Sequence, residues 1–301
     1  MPELPEVEIT ARLVGAATTG AEIESVLSPG INAVKTFDPP LNALQGATIE
    51  GIRRRGKLFL IDLHGPSVPG PAGPGTGESS VHYTLLVHLM SAGRLQLYDK
   101  RASLRDKTSR VLLRLADGER ELRLREFGTK QRAWVKLLRR EDVCAEETLA
   151  ALGPEAWPDT PAPEALRALI DQPRPLYTVL RDQHVIAGIG RSWVDEILHT
   201  AKLSPFKRGN DLTPKEAEAL REAIHDRLGG ALAHYEAQLA IPLPDKLPLP
   251  LTVHRHNGEP CPRCGTTLEA VFFEDYVMTY CPTDQTGGRV LKDRRLSRLL
   301  R

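Results

Sequence analysis

The chain changes character near residue 145, and this change limits its architecture more than any other feature. From Thr48 onward short β-rich runs follow one another: Thr48 to Ile52, Leu58 to Leu63, Tyr83 to Leu89, Arg94 to Tyr98, Arg110 to Leu115, Glu121 to Leu124 and Arg132 to Leu138. Short alternating or β-rich runs at this density, separated by polar turns such as Ala116-Asp117-Gly118, predict a two-sheet sandwich. From about Thr148 the pattern turns helical, with a start at Pro161 to Ile170, a helix over Arg191 to Ala201 and a long helix over Pro214 to Tyr235. Residues 4 to 15 also read as a helix, since Val7, Ala11 and Val14 recur at helical spacing and Gly15 can close it. The expected fold class is α+β and multi-domain: an N-terminal helix plus β-sandwich over 1–145, a helical domain over 146–250, and a cysteine-bearing hairpin with a basic tail over 251–301. The natural boundary is a hinge near Gly153 to Pro163.

The last domain is defined by its cysteines. Cys261-Pro262-Arg263-Cys264 is followed after 16 residues by Cys281-Pro282-Thr283-Asp284, a zinc-ribbon spacing with one substitution. Two short turns joined by a β-hairpin place four ligands at tetrahedral corners. The runs Ala270 to Phe273 and Tyr276 to Tyr280 suit such a hairpin. A carboxylate is an acceptable though less usual ligand, so Zn2+ is expected on Cys261, Cys264, Cys281 and Asp284, with His254 or His256 as alternative fourth ligands. The competing reading is a metal-free hairpin with vestigial thiols. Cys144 stands alone in a charged stretch, so a secreted disulfide framework is not expected.

At the other end, removal of Met1 would make Pro2 the terminal residue, next to Glu3. A terminal proline is a secondary amine and, like other α-amino groups, is partly unprotonated near neutral pH. Its attack on an aldehyde-level carbon gives an iminium cation, an electron sink that weakens neighbouring bonds, and Glu3 could move the accompanying proton. The plainer reading makes Pro5, Glu6 and Glu8 a helix start. The two readings are compatible.

Composition sets limits on partners. The chain has 301 residues, 41% hydrophobic and 26% charged, and a net charge of +1, so nucleic-acid contact must come from local basic clusters. Arg53, Arg54, Arg55 and Lys57 form one; Lys100, Arg101, Arg105, Lys107 and Arg110 form another; six basic residues follow Cys281. Each could equally be a solvated face. Gly65 to Ser80, rich in Gly and Pro, is expected to be a disordered hairpin loop without function. No long apolar run and no basic signal start is present, which leads to the expectation of a cytoplasmic protein.

The joint occurrence of several stretches in one order resembles the Fpg/Nei family of DNA glycosylases, the formamidopyrimidine-DNA glycosylase side in particular. These are Pro2 to Glu8, Arg53 to Lys57, His88 to Leu95, Leu152 to Glu155, Asp182 to Gly190, Asp195 to Leu198 and Gly258 to Cys261. The resemblance implies a bifunctional DNA glycosylase and AP lyase of base excision repair that removes damaged, oxidised bases. Pro2 would form the Schiff base leading to β,δ-elimination, Glu3 would handle protons, Glu6 would hold the helix, and Lys57 would contact the phosphate beside the lesion. It also implies a helix-two-turn-helix element around Gly188-Ile189-Gly190 that grips the DNA backbone at a helix N-terminus. The implied partner is double-stranded DNA with damaged bases or abasic sites, bound by a monomer without membrane or nucleotide cofactor. A non-catalytic damaged-DNA-binding relative is the alternative, but it need not keep Pro2, Glu3 and Lys57 together.

This sequence departs from the family in its lesion-reading parts. Arg191 stands where Asn usually follows the second glycine, and Tyr276 lies nearest the place of the ribbon's usual arginine. Met90 is shifted by one position, and Arg125-Glu126-Phe127-Gly128 replaces Arg-Arg-Phe-Gly, leaving Phe127 or Lys130 to wedge the stack. Arg54, Lys107 and Arg110 complete the expected DNA contacts. Gln238 to Leu251 lacks the pattern of the loop that covers 8-oxoguanine, so another preferred base is expected.

Overall fold

The computed structural model describes residues 2–66, 81–103, 105–273 and 276–291. Most of the expected loop and basic tail therefore lies outside the described residues. Two compact units are present: residues 1–151 with 235–247, and residues 152–234 with 248–301. No described helix is long and apolar enough to cross a membrane.

The first unit begins with helix α1 (Leu4–Thr18) and, among the described residues, contains eight strands: β1 (Ile23–Leu27), β2 (Thr48–Arg55), β3 (Leu58–His64), β4 (His82–His88), β5 (Gly93–Tyr98), β6 (Ser109–Leu115), β7 (Glu121–Glu126) and β8 (Trp134–Arg139). They form two four-stranded sheets, ordered β1-β6-β7-β5 and β2-β3-β4-β8, with every pairing antiparallel. Alternate residues build the core between them. Phe59, Ile61 and Leu63 of β3, Leu85 and Val87 of β4, and Val135 and Leu137 of β8 meet Leu95, Leu97, Val111, Leu113, Leu115, Leu122 and Leu124 of the other sheet in one buried cluster. Val7, Ala11 and Val14 of α1 join this cluster, as their helical spacing requires. This is the expected sandwich, with the additional edge strand β1. Only Ile23 of that strand is fully buried, so it carries almost no alternation to read.

The second unit contains the short helices α3 (Pro163–Ile170) and α4 (Leu176–Val179), then α5 (Arg191–Thr200), and it takes most of α6 (Pro214–Gln238). A one-turn helix, α2 (Glu147–Ala150), precedes them in the first unit. Trp193, Val194, Ile197 and Leu198 of α5 are buried, as are Leu220, Ile224 and Leu228 of α6. The hairpin consists of β9 (Glu269–Phe272) and β10 (Val277–Tyr280), followed by α7 (Pro282–Thr286). Glu196 ties α5 to the segment leading into the hairpin: its Oε1 accepts the N–H groups of Thr252, Val253 and His254 at 2.8 to 3.0 Å.

Candidate active site and metal centre

The amino terminus is held by a reciprocal capping box. Glu3 is the N-cap of α1 and its carboxylate accepts from the backbone of Glu6, while the Glu6 side chain accepts the Glu3 N–H at 2.8 Å. The second Glu6 oxygen accepts the Tyr235 hydroxyl, also at 2.8 Å. Glu3, Glu6 and Tyr235 are all buried, whereas Pro2 is half-buried. Burial, followed by the nearby Glu6 carboxylate, raises the Tyr235 phenol far above its ordinary range, so it acts as a donor throughout the working pH range.

Lys57 sits in the two-residue turn between β2 and β3. Gly56 has φ 56° there, a left-handed conformation that costs glycine little. Arg54 braces the turn, with Nε donating to Glu8 at 2.7 Å and Nη1 to the Gly56 carbonyl at 3.3 Å. Lys57 is itself buried at 9% exposure. Burial and then the Lys57 charge push the His88 imidazole down to about 4. The neutral ring accepts the Met90 N–H at Nδ1 at 2.8 Å and stacks on Trp134 with centroids 5.6 Å apart. Met90 has φ 50°, a strained backbone for a residue with a side chain.

The remaining expected contacts of this unit divide by exposure. Lys107 and Lys130 are exposed and Phe127 is half-buried, with the Arg125 guanidinium 4.7 Å from the Phe127 ring. Arg110 differs from its expected place at the surface. It is 4% exposed, donates to Gln131 and Asn32, and lies 3.7 Å from Glu126. Its guanidinium is engaged by neighbouring side chains, so a run of basic residues in sequence does not make a basic surface.

In the second unit, Gly188 has φ 108° and Gly190 is the N-cap of α5; both are buried. The Gln183 amide shapes the turn by accepting the Gly188 N–H and donating to the Ile189 carbonyl, both at 2.9 Å. The two substituted positions, Arg191 and Tyr276, come together: the Arg191 guanidinium is 4.9 Å from the Tyr276 ring centroid. Arg181, which the sequence reading did not single out, is 4.7 Å from Tyr276 and 4.8 Å from Tyr177. Tyr177 and Phe273 stack with Tyr276 at centroid distances of 5.7 and 4.4 Å. Cations over an aromatic face are attracted by the ring quadrupole, so the stack gathers two positive groups beside a helix N-terminus.

The ligand atoms of Cys261, Cys264, Cys281 and Asp284 lie within 4.8 Å of one another. The Cys264 and Cys281 sulfurs are 3.5 Å apart, and Cys261 Sγ is 3.8 Å from Asp284 Oδ2. Zinc–sulfur bonds of about 2.3 Å put tetrahedral neighbours roughly 3.8 Å apart, so the cluster fits the ion. Backbone N–H groups of Arg263 and Asp284 donate to the Cys261 and Cys281 sulfurs. Burial pushes the Cys281 thiol up to about 12, so a cation beside it is what would favour its thiolate. His254 and His256 turn to carboxylates instead, at 2.6 Å from Asp195 and 2.9 Å from Glu259. The imidazole nearest the cluster is His199 of α5, 3.2 Å from Cys261 Sγ and 3.8 Å from Asp284. Arg263 adds contacts to Asp284 at 3.3 Å and to the His199 carbonyl at 2.9 Å. His199 lies 62 residues from Cys261, beyond any local spacing signal.

Comparisons with known proteins cover the same regions. The formamidopyrimidine-DNA glycosylase N-terminal domain family matches residues 1–130, the H2TH domain of that enzyme matches 152–240, and a zinc finger found in FPG and IleRS matches 258–287. The formamidopyrimidine-DNA glycosylase of Bacillus cereus is 31% identical over 300 residues, covering 95% of this chain and 99% of that protein. An uncharacterized formamidopyrimidine-DNA glycosylase-like protein of Mycobacterium tuberculosis is 43% identical over 151 residues, covering 50% of this chain and 95% of that one. Among solved structures, Lactococcus lactis Fpg (MutM) in complex with DNA containing N7-benzyl-Fapy-dG superposes with a TM-score of 0.80 at 25% identity, covering 95% of this chain and 100% of that one. The same enzyme with DNA containing an abasic site gives 0.79 at 25% identity, covering 94% and 99%. With the sandwich, the helical domain and the zinc finger all matched, the chain belongs to the formamidopyrimidine-DNA glycosylase family, the zinc-finger-bearing DNA glycosylases of base excision repair.

Proposed function

We propose that this chain is a bifunctional DNA glycosylase and AP lyase in which the Pro2 nitrogen, freed by removal of Met1, is the nucleophile. The observation that carries this reading is the anchoring of the terminus: a half-buried proline precedes an N-cap held by Glu6, which is itself fixed by Tyr235. Such anchoring limits the motion of the attacking nitrogen and lowers the entropic part of the barrier. Damaged DNA is bent and the nucleotide flipped out, because C1′ cannot be reached inside the stack. The Pro2 nitrogen forms a bond to C1′, and the base leaves with the glycosidic electron pair. Ring opening gives the iminium, loss of a C2′ proton expels the 3′ phosphate, and a second elimination expels the 5′ phosphate. Glu3 carries protons at the sugar, and Lys57 neutralises the phosphate beside the lesion.

The DNA backbone is gripped at Gly188, Gly190 and the α5 N-terminus, with Arg191 and Arg181 supplying positive charge against the Tyr276 ring. Lys107 and Lys130 are exposed cations of the sandwich unit that can meet phosphate. Arg54 acts through the turn bearing Lys57, and Met90 and Phe127 fill the space left by the flipped nucleotide. Cys261, Cys264, Cys281 and Asp284 hold the zinc, whose part is structural: it fixes the hairpin that carries Tyr276. The substrate class is oxidised bases, with a preferred base other than 8-oxoguanine, and the enzyme acts as a cytoplasmic monomer.

Borohydride reduction with abasic-site DNA tests the mechanism. A covalent protein–DNA adduct is expected, and it should vanish in Pro2→Gly and after amino-terminal extension. An adduct that persists in both would exclude Pro2 as the nucleophile, and absence of any adduct from the parent protein would favour a non-catalytic DNA-binding role.

A further inference from the structure

Three side chains of the sandwich unit converge outside the machinery described above. His64 and His82 are direct partners across the antiparallel β3–β4 pair, so both leave the same face of the sheet. Their rings meet edge to face with centroids 4.8 Å apart. Glu50 falls where the β2–β3 register shifts between Ile49 and Gly51, and a bulge re-aims the side chain it carries. Glu50 Oε1 is 3.3 Å from His82 Nδ1 and 3.9 Å from His64 Nδ1. The Arg140 guanidinium holds the other oxygen, Oε2.

An ordinary ion pair accounts poorly for this arrangement. A single protonated ring would satisfy the carboxylate, yet both Nδ1 atoms face the same oxygen. His82 Nδ1 is moreover shielded from solvent without a hydrogen-bond partner, and burying an unsatisfied polar atom is costly. A cation at the centre removes the difficulty, since each nitrogen then presents a lone pair and the oxygen a negative charge.

We propose that Glu50, His64 and His82 form a second metal site, for a divalent transition ion of the zinc class, distinct from the zinc centre of the hairpin. The three ligand atoms lie within 4.8 Å of one another. Metal–ligand bonds of about 2.0 to 2.2 Å put tetrahedral neighbours roughly 3.3 to 3.6 Å apart, so the observed separations close with small side-chain rotations. Two imidazoles and a carboxylate favour zinc, copper or nickel over magnesium or calcium, and they leave a fourth position for water. Arg140 is the outer partner that orients the carboxylate. The ion joins β2, β3 and β4 at the end of β3 opposite Lys57, about 20 Å away at roughly 3.3 Å per residue. Its role is to brace the sheet, without part in the chemistry on DNA.

Protein carrying one zinc in the hairpin is titrated calorimetrically with ZnCl2, and with CuSO4 under electron paramagnetic resonance. One further equivalent is expected, with nitrogen hyperfine splitting from the copper. His82→Gln and, independently, Glu50→Gln should weaken that equivalent at least tenfold, with the hairpin zinc and the borohydride adduct unchanged. Failure of the parent protein to take up a further equivalent would overturn the proposal, as would uptake by both variants with parental affinity. Melting of the metal-free variants checks that each is folded.

Discussion

Tyr235→Phe removes one hydroxyl and leaves the ring packing in place. The lost bond is 2.8 Å long and ends on the Glu6 carboxylate, with Tyr235 at 0% and Glu6 at 5% exposure. Hydrogen bonds to charged groups contribute about 1.5 to 3 kcal/mol, and burial places this one towards the upper part of that range. For a unit of this size, about 2 kcal/mol lowers Tm by roughly 4 to 8 °C. Glu6→Gln should cost a similar amount, because both Glu3 N–H and Tyr235 O–H donate to the Glu6 carboxylate, while an amide offers one acceptor and one donor. The double variant should cost less than the sum of the two, since the singles break a shared network. Urea denaturation gives the three stabilities, and single-turnover borohydride trapping gives the effect on the terminus, which should slow in both single variants. If Tyr235→Phe unfolds at the parental urea concentration and traps at the parental rate, the anchoring argument fails.

Asp284→Ala should speed transfer of zinc to a colorimetric chelator by at least tenfold, while Asp284→Cys should slow it; equal rates in all three proteins would exclude Asp284 as a ligand. Arg191→Ala should weaken DNA binding and reduce by about 1 the slope of log affinity against log salt, as expected for a lost phosphate contact; an unchanged slope would remove Arg191 from the grip. Because the folded-state value of His88 is depressed to about 4 from 6.5, the unfolded chain binds more protons between these limits, and stability falls as pH drops from 6.5 towards 4. His88→Asn should flatten that part of the melting profile, and identical profiles would show that His88 is not the group responsible.

Much of the fold was legible because its signals are local. Seven strands showed through short alternating or β-rich runs, α1 through Val7, Ala11 and Val14, and the zinc finger through cysteine spacing. The strand β1 was not legible because one buried residue makes no pattern. Contacts between distant residues were equally hidden: Tyr235 reaches Glu6 across 229 positions, and His199 reaches Cys261 across 62. Neither pair leaves a trace in periodicity. The basic cluster around Lys107 showed the opposite failure, since charge was visible in the sequence while the inward turn of Arg110 depends on Asn32, Gln131 and Glu126. Arg191 and Tyr276 were each visible as departures, but their meeting depends on how the hairpin packs beside α5.

Arg181 and Arg191 both lie against the Tyr276 ring, so the three positions are coupled. Two guanidinium groups drawn to one ring repel each other, and the quadrupole of the ring offsets that repulsion. Loss of the ring would leave each arginine facing the other, and a lysine at either place, whose ammonium lacks the flat stacking plane, would not restore the contact.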